Sequence, residues 1–372
     1  MNKKLKIAII GSRGYPYVYS GYETLVKELS ERLVKKKHKV TVYCHSKLFK
    51  RKPKIIKGVN LVYTPSIQSK FFSQIVNSFF SFLHVCFSNT DIVLVVNSAN
   101  GPFGILTYLF RKKTCINVDG IEWLRPKWKG LGSVYFKIAS NMATIFYNKI
   151  ITDSIEMQKI YSKLFNTNSE VIAYGSYIRT SKNRDLIKKW NLNQLDYYLI
   201  VGRLIPDNNA DLIIKGFLKS KSNKKLVIVG DVPYKDLYSS NLKNTRDDRL
   251  IFTGYVNDNE TLAELYHNCY VYIHGHEFGG TNPTMIMAMA YSTSILALET
   301  VFNREMLDNG KYGLFFNKNL ASIKEMINYC EKNQFTIKKY RLNSSKGISD
   351  KYKWDSIVKK YESIFYNLSK GI

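Results

Sequence analysis

Residues Leu5–Ile10 make an unbroken apolar run that stops at Gly11; Leu25, Val26, Leu29 and Leu33 then recur at helical spacing before Val40–Tyr43 turns apolar again. A run apolar on both faces suits a strand of a parallel sheet, because helices cover both sides of such a sheet. The segment therefore reads as a βαβ unit whose first loop lies at the strand's carboxyl end. The alternation continues through strand-like Asp91–Val96, Thr114–Val118 and Lys149–Thr152. It restarts beyond the polar stretch Tyr177–Arg184, the candidate linker. There strands are expected at Tyr197–Val201, Lys225–Val229, Leu250–Thr253, Tyr270–His274 and Ile295–Leu298. Helices interleave at Ala210–Leu218, Glu260–His267, after Pro283 and at Leu320–Tyr329.

A chain of 372 residues exceeds what one core usually holds, and 45% hydrophobic residues suffice for two. The expected fold class is α/β, with two facing, doubly wound, Rossmann-like domains. Ligands of such folds bind outside the carboxyl ends of the strands, here the crevice between the domains. Lys351–Leu368, with Trp354, Ile357, Val358, Tyr361, Ile364 and Phe365 at helical spacing, reads as a closing helix.

The formal charge is +27, and it is uneven. Residues 1–180 hold 28 Lys and Arg against 9 Asp and Glu, a net +19, which leaves 28 against 20, or +8, for residues 181–372. Such asymmetry points to an anionic partner for the first domain, either lipid headgroups or nucleic acid; a generally lysine-rich surface is the plainer alternative. No nucleic-acid-binding motif accompanies it. Five scattered cysteines without CxxC spacing fit free thiols in a reducing compartment. The apolar run after the first lysines is too short for a secretory signal, which leads to the expectation of a cytoplasmic protein. Phe71–Phe87 is the most apolar segment outside the strands, yet it carries Ser73, Gln74, Asn77, Ser78, Ser81 and His84. It falls short of a membrane span and reads first as a buried helix, second as a helix lying in a bilayer interface.

Three strand-end loops suit an anion. Gly11-Ser12-Arg13-Gly14 with Gly21-Tyr22-Glu23-Thr24 opens a helix, where glycines allow close backbone approach and free N–H groups attract negative charge. It is neither the dinucleotide fingerprint nor a Walker loop. Val201-Gly202-Arg203-Leu204 brings an arginine able to clamp a phosphate. In Gly279-Gly280-Thr281-Asn282-Pro283 the asparagine is a good N-cap and the proline suits the first helical turn. His274 and His276 flank a glycine without a third ligand at metal-site spacing. Trp123 and Trp128, near Arg125, Lys127 and Lys129, fit a lipid headgroup region or ordinary packing equally well.

These loops, together with Asn117-Val118-Asp119-Gly120-Ile121-Glu122-Trp123 and Phe302-Asn303-Arg304-Glu305, resemble family 4 glycosyltransferases of GT-B fold, specifically the bacterial rhamnosyltransferase-like subgroup. The resemblance implies an acceptor-side domain over residues 1–178 that is basic and membrane-facing, a nucleotide-sugar domain over 179–350, and a helix, 351–372, packing back toward the first domain. It implies a retaining, metal-independent transfer from a nucleotide-sugar, leaning to dTDP-rhamnose over a UDP-sugar, with no further cofactor. The acceptor would be a lipid-linked saccharide of cell-surface polysaccharide assembly, met on the inner face of the membrane. By the same resemblance Arg203 holds the donor diphosphate, with Gly279, Gly280, Thr281 and Asn282 completing its cradle. Gly11, Arg13, Gly14 and Gly21 close over it, and Asp119, Glu122 and Glu277 are the catalytic candidates.

Two positions depart from the family. Asn208 takes the place of a lysine in the second loop, and Met287 takes that of a glutamate that accepts hydrogen bonds from the nucleotide ribose. Two other readings follow: a degenerate GT-B protein that binds glycolipid or a partner enzyme, and a basic nucleic-acid-binding protein.

Overall fold

The structure is a computed structural model that describes residues 3–16, 21–67, 72–125, 128, 130–232 and 236–371. Phe71, Lys127 and Lys129, considered above, lie outside the described residues. The chain divides into two compact units: Met1–Tyr174 with Trp354–Ile372, and Gly175–Lys353.

The first unit is built on strands β1 (Lys6–Ile10), β2 (Lys39–His45), β3 (Ile55–Ile56), β4 (Val59–Thr64), β5 (Ile92–Val96), β6 (Thr114–Val118), β7 (Lys149–Thr152) and β8 (Ser169–Val171). Their order across the sheet is β3-β4-β2-β1-β5-β6-β7-β8, and only the short β3–β4 pairing is antiparallel. The central strands are buried along their length, as their continuous Val, Ile and Leu content demands. The helix Trp354–Lys370 belongs to this unit and buries Trp354, Ile357, Val358, Tyr361, Ile364, Phe365 and Leu368. Tyr361 accepts a hydrogen bond from Asn117 of β6 at 3.0 Å, and Glu362 pairs with Lys36 at 2.5 Å and His38 at 3.1 Å.

The second unit holds β9 (Tyr197–Val201), β10 (Lys225–Val229), β11 (Leu250–Gly254), β12 (Val271–His274), β13 (Ile295–Leu298) and β14 (Leu314–Phe316), ordered β11-β10-β9-β12-β13-β14 and all parallel. Its core joins Tyr198, Ile200, Ile213, Phe217, Ile228 and Ile273 of strands and covering helix. The polar stretch 177–184 contains no regular element until a short helical turn begins at Arg184. It is nevertheless tied down, for Glu264 accepts from the main chain of Lys182 and Asn183 at 2.5 and 2.8 Å and from Ser181 Oγ at 2.7 Å.

One expectation is corrected. The segment read first as a buried helix is a helix, Phe72–Cys86, but it is buried on one side only: Asn77, Ser78, Ser81, Phe82, Val85 and Cys86 are buried, whereas Ile75, Phe79, Phe80 and Leu83 are exposed, as is Phe87 just beyond it. Helical periodicity separates two faces without saying which one turns inward.

Candidate functional site

In each sheet the strand order reverses direction at one place: between β1 and β5 in the first unit, and between β9 and β12 in the second. Connections leave such a point on opposite sides of the sheet and open a crevice at the strand ends. Both units place glycine-rich loops there.

In the first unit Gly11 follows β1 at φ 101°, and a Cβ there would lie 2.2 Å from the Val96 carbonyl oxygen of β5. Only glycine lets the two strand ends approach so closely. Arg13 donates its main-chain N–H to Glu23 Oε1 at 3.0 Å, and Gly14 packs on Cys44 and Phe49. Gly21 opens the helix Gly21–Lys35, so that Tyr22 and Glu23 of its first turn face different loops. Glu23 secures the Arg13 loop, while the Tyr22 hydroxyl accepts from the Asp119 main chain at 3.2 Å. The Gly-Tyr-Glu-Thr stretch thus links the loop after β1 to the loop after β6. His45, at the end of β2, is buried beside this loop; burial and then the Arg13 charge push its pKa down to about 4, so its imidazole is neutral.

Asp119 ends β6. Tyr174 donates to its Oδ2 at 2.5 Å, and Tyr22 is a second hydroxyl partner. Burial raises its carboxyl above the usual range, the two hydroxyls pull it back, and the nearby Glu122 charge pushes it up again. Glu122 is engaged on both oxygens: Oε2 accepts from Trp128 Nε1 at 2.7 Å, and Oε1 pairs with Arg125 Nε at 2.9 Å. Asp119 is thus a buried carboxyl with a raised pKa, and Glu122 braces the loop through Trp128 and Arg125.

In the second unit Arg203 is exposed on the loop after β9. Asn208 is buried and donates from Nδ2 to the Arg203 carbonyl at 2.7 Å, so the residue at the family's lysine position shapes the arginine loop instead of adding charge. Asn209, at φ 53°, donates to the Gly275 carbonyl at 2.9 Å and joins the loops after β9 and β12. Glu277 donates its main-chain N–H to the Asp207 carbonyl at 3.1 Å, and its carboxylate pairs with Lys318 at 2.6 Å. Lys318, beyond β14, therefore brings a cation to these loops that sequence reading missed, because it lies 41 residues from its partner.

Gly279 has φ 117°, a conformation that favours glycine. The helix Pro283–Ala290 follows, with Asn282 Oδ1 accepting from the Thr284 main chain at 3.0 Å. Gly280 and Thr281 are buried next to that helix start. Asn303 braces the same region by donating to the carbonyls of His276 and Leu298 at 3.1 and 2.8 Å. His274 is fully buried, meets the Tyr272 hydroxyl at 2.9 Å and stacks on His276 at 4.5 Å; burial drives its pKa far down. Met287 is half-buried, and its sulfur lies 4.0 Å from Ser176 Oγ.

Two parallel-sheet units with glycine-rich loops at their switch points are the architecture of the GT-B glycosyltransferases, and solved structures share it along the chain. Sucrose-phosphate synthase from Thermosynechococcus elongatus superposes with a TM-score of 0.83 at 14% identity, covering 99% of this chain and 100% of that one. HepE of Anabaena, solved with UDP and glucose, gives 0.75 at 14% identity over 96% and 98% of the two chains. Residues 182–347, within the second unit, match the family "Glycosyl transferases group 1". Residues 75–177 match a domain of unknown function, DUF1972. The alpha-monoglucosyldiacylglycerol synthase of Acholeplasma laidlawii is 26% identical over 134 residues, 35% of this chain and 33% of that protein. The match thus spans about a third of that relative's length.

Proposed function

We propose that the chain transfers a sugar from a nucleotide-sugar, with retention and without a metal, to a lipid-linked saccharide at the inner face of the membrane. The observation that carries the donor half is the joining of the Arg203 loop to the loop after β12, which runs on into Gly279–Asn282, by the Asn209–Gly275 and Glu277–Asp207 hydrogen bonds. Arg203, joined by Lys318, would neutralise the diphosphate, and the N–H groups at the start of Pro283–Ala290 would complete its cradle. Charge builds on the diphosphate as the sugar leaves, so donors fixed in advance lower the barrier. The donor is a pyrimidine nucleoside diphosphate sugar; the N-terminal motifs favour rhamnose on dTDP, and the UDP bound by HepE supports the uridine alternative. Asp119, with its raised pKa and two tyrosine partners, is the group for the acceptor hydroxyl.

The test is a thermal-shift titration with UDP, dTDP, GDP and ADP. A ligand at a hundred times its dissociation constant stabilises by ~2.7 kcal/mol, a visible shift in melting. Selective stabilisation by dTDP or UDP is the expected result. No shift with any of the four favours the second reading, a degenerate binding protein, which the methionine at position 287 motivates.

A further inference from the structure

The helix Phe72–Cys86 buries Phe82, Val85 and Cys86 together with a polar set: Ser78 donates to Asn100 Oδ1 at 2.6 Å, Asn77 Nδ2 donates to Thr64 Oγ1 at 2.8 Å, and Ser81 Oγ lies 2.8 Å from that same Thr64 oxygen. Its open side is apolar, with Phe79 44%, Phe80 40% and Leu83 37% exposed, and Phe87, just past the helix, 74% exposed. The buried hydrogen bonds fix which side faces out, because rotating the helix would take these partners away from Thr64 and Asn100, both buried.

Two more helices extend this face. Phe87 meets Phe110 edge-on at 5.0 Å, at the end of the helix Gly104–Leu109, where Tyr108 and Leu109 are exposed. Tyr108 in turn meets Phe146 at 6.0 Å, at the end of Leu131–Phe146, whose Leu131, Val134, Ile138 and Ile145 are exposed. The three helices contain no acidic residue, and Lys137 is their one basic side chain apart from histidine. The exposed Arg111 and Lys113 border the patch directly after Phe110. Single exposed apolar residues are ordinary, but a continuous face of this kind marks an interaction surface.

We infer that this three-helix face of the first unit is a bilayer-docking surface that takes up anionic phospholipid, its aromatic residues entering the acyl boundary and its basic border meeting the headgroups. The net +19 of residues 1–180 complements such a membrane and opposes a second copy of the chain, which would bring like charges together. None of the described helices is long and apolar enough to cross a membrane, so this face would lie on the lipid. The face also reaches the acceptor-side loop: Leu131–Phe146 begins three residues after Trp128, whose indole donates to Glu122. The inference deepens the proposed function, from which it takes only the lipid-linked acceptor.

The experiment is flotation of the full chain with vesicles of phosphatidylcholine alone and with a quarter phosphatidylglycerol, at 0.15 and 0.5 M salt, with neither donor nor acceptor present. Binding to the anionic vesicles that partly survives high salt is expected, with loss of about tenfold or more in the Phe79→Ser/Phe80→Ser/Phe87→Ser variant. Circular dichroism and the nucleotide thermal shift should not change; Phe87→Ser alone serves if the triple variant misfolds. No vesicle binding, or equal binding by the variant, overturns the inference. So does sedimentation showing a wild-type dimer that the variant converts to monomer, which assigns the face to a second copy. Vesicle binding without any nucleotide shift would sink the transferase reading and leave this surface standing; the reverse pattern would sink only the surface.

Discussion

The Tyr174 hydroxyl donates to Asp119 Oδ2 at 2.5 Å, while the Asp119 main chain donates to the Tyr22 hydroxyl at 3.2 Å. Two tyrosines from distant parts of the first unit thus hold one carboxyl whose burial favours its neutral form. With a folded pKa above the unfolded one, its contribution to stability is complete below the unfolded value and is lost as pH rises through the folded value. Once ionised, the buried carboxylate therefore costs stability. Asp119→Asn should leave the melting temperature at pH 7 unchanged or raised, while sugar transfer falls about 10²-fold or more. Parallel melting and turnover assays decide; a large loss of stability would mean that Asp119 is structural.

Arg203 is exposed, so Arg203→Ala should preserve the fold and weaken nucleoside diphosphate binding by ~1.5–3 kcal/mol, about ten- to a hundredfold. Lys318→Ala should weaken it less, because Lys318 already shares its charge with Glu277. Calorimetric titration of UDP and dTDP measures both. Equal affinity in all three proteins would remove the diphosphate from these loops.

Met287→Glu puts a carboxylate beside Ser176 Oγ on the half-buried side of its helix. The expected result is about a tenfold gain in affinity for UDP and a smaller one for dTDP, whose deoxyribose has one hydroxyl fewer to satisfy. The comparison is a pair of binding isotherms for each protein. A loss for both nucleotides would show that the native site is organised around the thioether.

His45 is neutral in the folded protein with a pKa of about 4, against 6.5 unperturbed, and burial also lowers His267 and His274. Below pH 6.5 the unfolded chain takes up protons that the folded chain refuses. Stability is therefore complete above the unfolded value and is lost as pH falls through the folded one. His45 alone accounts for about 3 kcal/mol of that loss between pH 6.5 and 4. The melting temperature should fall steadily over that interval, and His45→Gln should flatten part of the fall. A profile independent of pH, or identical in the variant, would refute the assignment.

The sequence revealed the strands whose apolar runs are long and end in glycine, and with them the loops at both switch points. The short strands β3, β8 and β14 carry two or three residues each, too few for a period to register, whereas β4, six residues long, lacks a continuous apolar run because Asn60 interrupts it. Asn282 was legible as a cap because capping is local. Lys318 and Tyr174 were not, since each reaches its partner over 41 and 55 residues. The outward side of Phe72–Cys86 was hidden for another reason: its orientation is set by Thr64 and Asn100, residues of other elements.

The helix Trp354–Lys370 completes a unit whose other residues all precede the second unit in the chain. During synthesis the Gly175–Lys353 unit can fold as soon as it emerges, whereas the first must wait with Asn117 and the Arg32 side of its first helix uncovered until Tyr361 and Trp354 arrive. The basic, apolar-faced half of the molecule thus matures after the Gly175–Lys353 unit, and a chain cut short within this helix would carry a complete second unit beside an uncovered first one.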